Sequence, residues 1–190
     1  MTVDPEDSLS VKTSNPELLP IALAVGGRIQ GTRWCKSLIV LFDTGSTSSW
    51  MNAKSLPKGI RGYTVPKIQG STLAGTFESS EQVCVEDLVL PEYSTKKALG
   101  KLGLKVFNAD CRYDMILGRD ALRALGIDLN FETNTISTGG VQRDMREYPR
   151  SEEMSTVDVL LQEHLNNVEF KDDDDDSTIA SSDDVWRDVG

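Results

Sequence analysis

The feature that most constrains the fold of this chain is a single carboxylate between two strand-like segments. Residues 38–41 are apolar and partly β-branched, as in a strand that is buried on both faces. They lead through Phe42 into Asp43-Thr44-Gly45, a turn built from a small hydroxyl residue and a glycine. Residues 46–51 then return to strand-like composition. The pattern predicts a strand–turn–strand unit with Asp43 at the mouth of a buried strand.

The motif occurs once: the 190 residues contain no second Asp-Thr-Gly and no Asp-Ser-Gly. Two carboxylates held a few ångströms apart share one proton, because both cannot ionise easily. One can then accept a proton from an attacking water while the other hydrogen-bonds a carbonyl. A lone motif therefore predicts a site completed by a second copy on a two-fold axis. These residues alone also fit an ordinary Asp-Xaa-Gly turn, and this alternative interpretation is kept at this point.

A second informative segment lies in the later part of the chain. Residues 115–117 predict a short buried strand that ends at a glycine. Residues 120–126 predict a brief helix, with Asp120 as its N-cap and Gly126 as its C-terminal stop. The alternation that follows predicts a hairpin over 127–137.

The two segments together resemble the pattern of retropepsin-like aspartic proteases. Asp-Thr-Gly-Ser stands at 43–46, and Ile116-Leu117-Gly118 follows about seventy residues later, before one helix. The similarity is greatest to protease regions of long-terminal-repeat retrotransposon polyproteins, and it covers roughly residues 18–148. It implies an all-β fold, a small closed acid-protease barrel with one short helix that forms half of a two-fold symmetric dimer.

The resemblance also implies roles for the residues of the catalytic loop. Asp43 would be the catalytic carboxylate, with Ser46 supporting the loop. Thr44 would reach across the dimer axis to the partner's backbone, and Gly45 would let the backbone approach its twin and the substrate. Three residues would pack beneath the loop: Ile116, Leu117 and Gly118.

The flap that closes over a substrate would lie near residues 70–77, because a mobile hairpin needs glycines and small residues. Retroviral flaps carry a denser glycine cluster than this segment does. The flap residues implied are Gly70, Thr72, Ala74, Gly75 and Thr76.

Two positions depart from the retroviral pattern. Arg119 follows Gly118 as an arginine does in many retroviral members, where it pairs with an acid four residues after the catalytic aspartate. In this sequence that position is Thr47. This dimer-stabilising ion pair is therefore absent or rebuilt. Ser46 replaces a common alanine, and a hydroxyl that donates to a carboxylate favours the charged form. The sequence thus predicts a more acidic activity optimum than that of a Ser46→Ala variant.

The net charge of −10 is unevenly distributed along the chain. Residues 151–190 hold thirteen acids and two bases, whereas the first 150 residues hold seventeen acids and eighteen bases. The acidic run 172–176 cannot bury apolar surface. We therefore predict a disordered N-terminal segment over 1–16, a protease domain over 17–149 and an acidic disordered tail or linker over 150–190.

Composition excludes several classes of site and location. His164, the single histidine, lies in the tail, which excludes a Ser-His or Cys-His nucleophile and a histidine-rich zinc site in the body. No metal or organic cofactor is expected. An acidic N-terminus without a signal region, and no apolar stretch of membrane-spanning length, predict an intracellular, cytoplasmic protein that is not secreted. Three cysteines fit that compartment.

The expected architecture is a series of short strands around one helix. Gly-rich residues 26–31 read as the hairpin that joins the first two long strands. The lysines at 96, 97, 101 and 105 read as a solvated loop, so no direct nucleic-acid binding is predicted. The predicted strands cover 21–25, 34–42, 48–52, a flap hairpin over 68–87, 88–90, 104–108 and 114–117.

The leading functional hypothesis is an endopeptidase that cleaves extended polypeptides with water activated between Asp43 and its symmetry mate. Its partners would be a second copy and a polypeptide substrate, and a reverse transcriptase could adjoin it in a longer polyprotein. One alternative is a dimeric peptide-binding module of the same fold that does not cut. Another is a decayed retroelement fragment.

Overall fold

The structure is a computed structural model of the chain. It describes residues 17–34, 36–72, 75–94, 97–151, 153–154 and 186–188. The predictions of disorder over 1–16 and over most of 150–190 fall outside these ranges, as do Ala74 and His164.

Short strands make up most of the described chain. Those of the first half are β1 (Ile21–Val25), β2 (Arg28–Ile29), β3 (Thr32–Arg33), β4 (Ser37–Phe42), β5 (Trp50–Asn52), β6 (Tyr63–Thr72) and β7 (Gly75–Glu86). Those of the second half are β8 (Leu88–Val89), β9 (Lys97–Leu99), β10 (Leu102–Phe107), β11 (Met115–Leu117), β12 (Asp128–Asn130), β13 (Thr135–Thr138), β14 (Val141–Asp144) and β15 (Trp186–Asp188), with helix α1 (Arg119–Ala124) after β11.

Twelve of these strands form one curled sheet, in the order β15-β9-β8-β1-β4-β11-β5-β10-β7-β2-β3, with β6 paired to β7. The remaining strands β12, β13 and β14 form a small antiparallel sheet. The predicted all-β class with a short helix is confirmed. The large sheet is a half-barrel whose ends β15 and β3 do not pair with each other in the described part of the chain, where a closed barrel was expected.

The pairing of β11 decides the shape of the site. It inserts between β4, to which it is parallel, and β5, to which it is antiparallel. The chain between β4 and β5 therefore cannot be a tight hairpin and must cross the end of β11 as a wide loop. This loop, residues 43–49, carries the predicted catalytic motif and is called the catalytic loop below.

The core lies on the inner face of the curled sheet. Strand β4 is buried along most of its length, as its apolar composition predicts. Each large aliphatic side chain buried here contributes about 1.5–3 kcal/mol relative to exposure. The core includes Leu38, Val40, Phe42, Met51, Leu104, Val106, Met115 and Leu117.

The glycine-rich segment after β1 differs in detail from the prediction. The hairpin turn lies at Gln30 and Gly31, between β2 and β3, where φ is 50° and 75°. Two successive positive φ angles are typical of a type I′ turn, whose twist matches that of paired strands. Strand β1 itself pairs with β4, from Ile21 opposite Leu41 to Val25 opposite Ser37.

Helix α1 begins and ends close to the predicted bounds, but Asp120 is not its N-cap. Gly118 occupies that position and makes no side-chain cap. The predicted stop at Gly126 is confirmed, with φ of 58°. Ile127 N donates to Leu122 O at 2.9 Å and Gly126 N to Arg123 O at 3.2 Å, the two bonds of a Schellman motif.

Three strands of the second half of the chain were not predicted. Short β9 and β14 lie in segments whose sequence lacks a clear alternation. Strand β15 pairs antiparallel with β9 inside the range for which a disordered tail was expected, so disorder does not hold for residues 186–188. Pairing with a distant edge strand is a tertiary interaction that local composition does not report. Among the described residues, no helix has the length and apolar character that a membrane crossing requires.

Candidate active site

Asp43 stands where β4 ends and the catalytic loop begins. Its backbone N–H donates to Leu117 O at 2.9 Å, so the residue is tied to the end of β11. Its Oδ1 accepts a hydrogen bond of 2.8 Å from Gly45 N, and Ser46 N donates to Asp43 O at 3.3 Å. The side chain is half-exposed, whereas Thr44 and Gly45 are exposed. The loop therefore holds one carboxylate at the surface with a backbone donor on it.

Gly118 lies directly beneath the loop. A Cβ added there would meet Ser48 O at 2.4 Å and Ser46 O at 3.0 Å. These are backbone atoms, so the loop can rest on β11 only because this position has no side chain. Arg119 N donates to Ser46 O at 2.9 Å and adds a direct bond between the helix start and the loop.

Asp120 fastens the far end of the loop. Its carboxylate accepts from Ser49 Oγ at 2.6 Å and from Ser49 N at 3.1 Å. The Ser49 hydroxyl oxygen in turn accepts from Gly118 N at 3.0 Å. Ser49 is 2% exposed, so these bonds satisfy buried polar groups. Asp120 thus acts as a clamp across 71 residues of sequence, where the sequence predicted a helix cap.

Ser46 does not act as predicted. Its Oγ donates to Ser48 O at 2.6 Å and accepts from Trp50 Nε1 at 3.1 Å. A hydroxyl has a single proton to donate, and here that proton is used within the loop. The hypothesis that Ser46 donates to the Asp43 carboxylate is therefore wrong for this structure, and the acidic-optimum prediction built on it loses its physical basis.

Asp114, just before β11, fixes the strand crossing below the site. Its Oδ2 accepts from Ile39 N at 2.9 Å, and its Oδ1 accepts from the Ser55 hydroxyl. Lys36 Nζ lies 3.4 Å from the same Oδ1. One carboxylate thus joins β4, β11 and the turn after β5, which keeps the loop ends at a fixed separation.

The predicted flap residues lie in the long β6–β7 hairpin. Gly70 pairs with Phe77 and Thr72 with Gly75, while the predicted flap residue Ala74 lies outside the described residues. The register shifts between Thr64 and Ile68. Pro66 sits inside this irregularity and has no N–H for the ladder.

The remaining predicted site residues are placed as follows. Leu117 is buried and Ile116 half-buried on β11, next to the loop. Arg119 and Thr47 are both exposed, and in the described part of the chain Arg119 forms no ion pair. Asp43 likewise contacts no second carboxylate there. Among the described residues, the loop thus presents a single carboxylate. Among the described residues, no group of three His, Cys, Asp or Glu side chains is arranged as metal ligands would be.

Comparisons with known proteins give matches at the level of structure. No protein-family model matches the chain, and no curated protein is similar to it in sequence. The chain is similar to the retroviral protease-like domain of Ddi1 from Leishmania major, with 10% identity over 70% of this chain and 94% of that one, at a TM-score of 0.42.

It is also similar to the EIAV protease in complex with the inhibitor HBY-793. The identity is 25% over 63% of this chain and 99% of that one, at a TM-score of 0.40. Both neighbours are retroviral protease-like domains. The fold class follows from the strand order and register described above.

The roles of three residues at the site were missed from the sequence. Ser49 and Asp120 are joined only by the fold, and no local pattern indicates a contact between residues so far apart. Lys105 was assigned to a solvated loop together with neighbouring lysines, but it lies on β10 with its ammonium against the catalytic loop. The strand predicted over 104–108 already included Lys105 and is confirmed as β10, where apolar residues alternate with Gly103 and Lys105. What the sequence did not indicate is the contact of the Lys105 ammonium with the catalytic loop.

Proposed function

We propose that this chain is an aspartic endopeptidase whose active site is completed by a second copy. The observation that carries the proposal is the half-exposed Asp43 carboxylate on a loop anchored by Leu117, Gly118 and Asp120. Such anchoring costs conformational freedom, and it gives a carboxylate the fixed direction that general acid–base chemistry requires.

In the proposed reaction, the ionised member of the Asp43 pair removes a proton from a bound water. The water oxygen attacks the peptide carbonyl carbon while the protonated member hydrogen-bonds the carbonyl oxygen. Collapse of the tetrahedral species breaks the C–N bond, and the amine leaves with a proton from the dyad. No metal or organic cofactor takes part in this scheme.

The homodimer is part of the same proposal. One chain supplies one carboxylate, and exposed Thr44 and Gly45 leave the loop free to meet its twin across a two-fold axis. The β6–β7 hairpin would close over a substrate bound as an extended strand, with backbone hydrogen bonds giving affinity. Because Thr47 stands where retroviral members have an acid, this dimer would lack the stabilising ion pair that the arginine forms in those members.

We further propose polyprotein processing as the biological context, with the chain as the protease region of a long-terminal-repeat retrotransposon and a reverse transcriptase as its neighbour. The support is the sequence resemblance over residues 18–148 together with the acidic linker-like composition of the tail. An intracellular location belongs to this proposal.

The test is hydrolysis of an unstructured protein by the purified chain from about pH 4 to about pH 7, over about a hundredfold range of enzyme concentration. We expect cleavage with a specific activity that rises with concentration, and loss of cleavage in Asp43→Asn. The matched control is Asp128→Asn, the same change at an exposed position on β12.

The alternatives give different results in this assay. A folded dimer that binds peptides but never cleaves them would identify a binding module. A chain that neither cleaves nor dimerises at the highest concentration would identify a decayed fragment. Cleavage that persists in Asp43→Asn would refute the assignment of the catalytic residue.

A further inference from the structure

Lys105 is held against the catalytic loop by both its backbone and its side chain. Its N–H donates to Ser49 O at 3.0 Å, and its Nζ donates to Ser48 Oγ at 2.6 Å. The ammonium also lies 5.4 Å from the centre of the Trp50 ring. The positive charge therefore has a defined position beside the loop that carries Asp43.

The same charge lies on the face of the sheet that Asp43 occupies. Directly paired residues of neighbouring strands point to one face, and Lys105 pairs with Trp50, which pairs with Ile116. Ile116 pairs with Leu41, two residues before Asp43. Asp43 directly follows β4, and its N–H extends the pairing with β11 by donating to Leu117 O. Continuing the alternation of β4 by one residue therefore puts Asp43 on this face, opposite the core-facing Phe42.

Among the described residues, the Lys105 ammonium has no anionic partner. It forms no ion pair with a carboxylate of the described residues, although the residue is half-buried. An ammonium has three protons to donate, and one is used by Ser48. A partly desolvated cation is stabilised when an anion joins it.

We propose that Lys105 selects peptide substrates with an aspartate or glutamate side chain near the cleaved bond. This specificity rests on the proposed peptidase function and names the substrate class of the same site. The five residue steps from Asp43 to Ser48 span at most about 17 Å, and the turn at Thr44 and Gly45 shortens that distance. Because an extended substrate advances about 3.4 Å per residue, the acidic side chain lies within about five residues of the cleaved bond.

The test uses a synthetic library of extended peptides in which each position carries Glu, Gln or Lys in turn. For wild-type enzyme we expect Glu to raise kcat/KM about fivefold over Gln at one position on each side of the two-fold axis, with Lys the poorest residue there. The preference should shrink as salt rises from about 0.1 M to about 1 M.

Variants at Lys105 assign the preference to its charge. Lys105→Met should remove the distinction between Glu and Gln, Lys105→Arg should retain it, and Lys105→Glu should favour Lys. The matched control is Lys101→Met, which removes an exposed charge that lies 3.6 Å from Glu86. Thermal unfolding of each variant shows whether it is folded.

Two results would overturn the inference: a wild-type enzyme indifferent to charge at every position, or a Lys105→Met variant that loses activity equally on Glu and Gln peptides. If no peptide is cleaved at all, the proposed peptidase function fails. The role of Lys105 is then tested separately, by measuring the binding of Glu and Gln peptides. Asp43→Asn chain should then bind Glu peptides more tightly than Gln peptides. Equal binding, or a preference unchanged by adding Lys105→Met, would refute the role of Lys105.

Discussion

At the scale of single residues, Gly118 and Asp120 together hold the catalytic loop on β11. Gly118→Ala would place a Cβ 2.4 Å from Ser48 O, and a backbone atom can move away only if the loop moves. We expect a loss of about 1–3 kcal/mol in the free energy of unfolding and at least about a tenfold fall in kcat/KM. Urea denaturation and peptide hydrolysis measure the two effects.

Gly103→Ala is the matched control for this substitution. Its new Cβ would lie 2.6 Å from Gln82 Nε2, the end of a flexible side chain that can turn aside. We expect Gly103→Ala to lower the free energy of unfolding clearly less than Gly118→Ala does. If both variants are equally stable and active, the close packing of Gly118 under the loop is not important.

Asp120→Ala removes the acceptor for both the N–H and the hydroxyl of Ser49. Because Ser49 is 2% exposed, we expect a cost of about 1–2 kcal/mol. A double-mutant cycle with Ser49→Ala measures the coupling, since Ser49→Ala should cost less in the Asp120→Ala background than in wild type. Additive effects on unfolding would contradict a direct interaction. Asp128→Asn, on exposed β12, is the control for general loss of charge.

At the scale of elements, the β6–β7 hairpin carries an exposed ion pair, Lys67 Nζ to Glu78 Oε2 at 2.8 Å. The hydrogen bond from Lys67 lowers the pKa of Glu78 below 4.5, with a smaller effect from Gln69. The same bond raises the pKa of Lys67 above 10.5. The stabilisation is present above pH 4.5 and is lost as the pH falls through the lowered pKa of Glu78; it is lost again as the pH rises through the raised pKa of Lys67.

The Glu78 carboxyl carbon reports this pair in an NMR titration. Lys67→Met should raise the midpoint for Glu78 toward its ordinary value, because the largest cause of the lowering is gone. Gln69→Ala should raise it less. A midpoint that does not change in Lys67→Met would show that the two side chains do not interact in solution.

At the scale of the whole molecule, the proposed site exists only in the dimer. Wild-type and Asp43→Asn chains mixed in equal amounts and allowed to exchange should form about one quarter wild-type dimers. Activity should therefore fall to about one quarter of that of wild-type enzyme at the same total concentration. A site contained in one chain would retain about one half. Substituting Asp128→Asn chain for Asp43→Asn in the mixture should leave full activity.

The sequence alone determined the class of fold and the candidate carboxylate. The apolar run into Asp43, the buried strand over 115–117 and the stop at Gly126 are local patterns, and the structure contains each corresponding element. Local propensity and periodicity suffice for such features because they depend on neighbouring residues.

Tertiary structure alone decided how the loop is held and what charge lies beside it. Tertiary contacts between residues 57 to 75 positions apart include the insertion of β11 between β4 and β5, the contact of Ser49 with Asp120, and the contact of Lys105 with Ser48. Pairing over such separations depends on packing of the whole sheet, and no short segment of sequence specifies it. For the same reason Asp120 acts as a clamp instead of a helix cap.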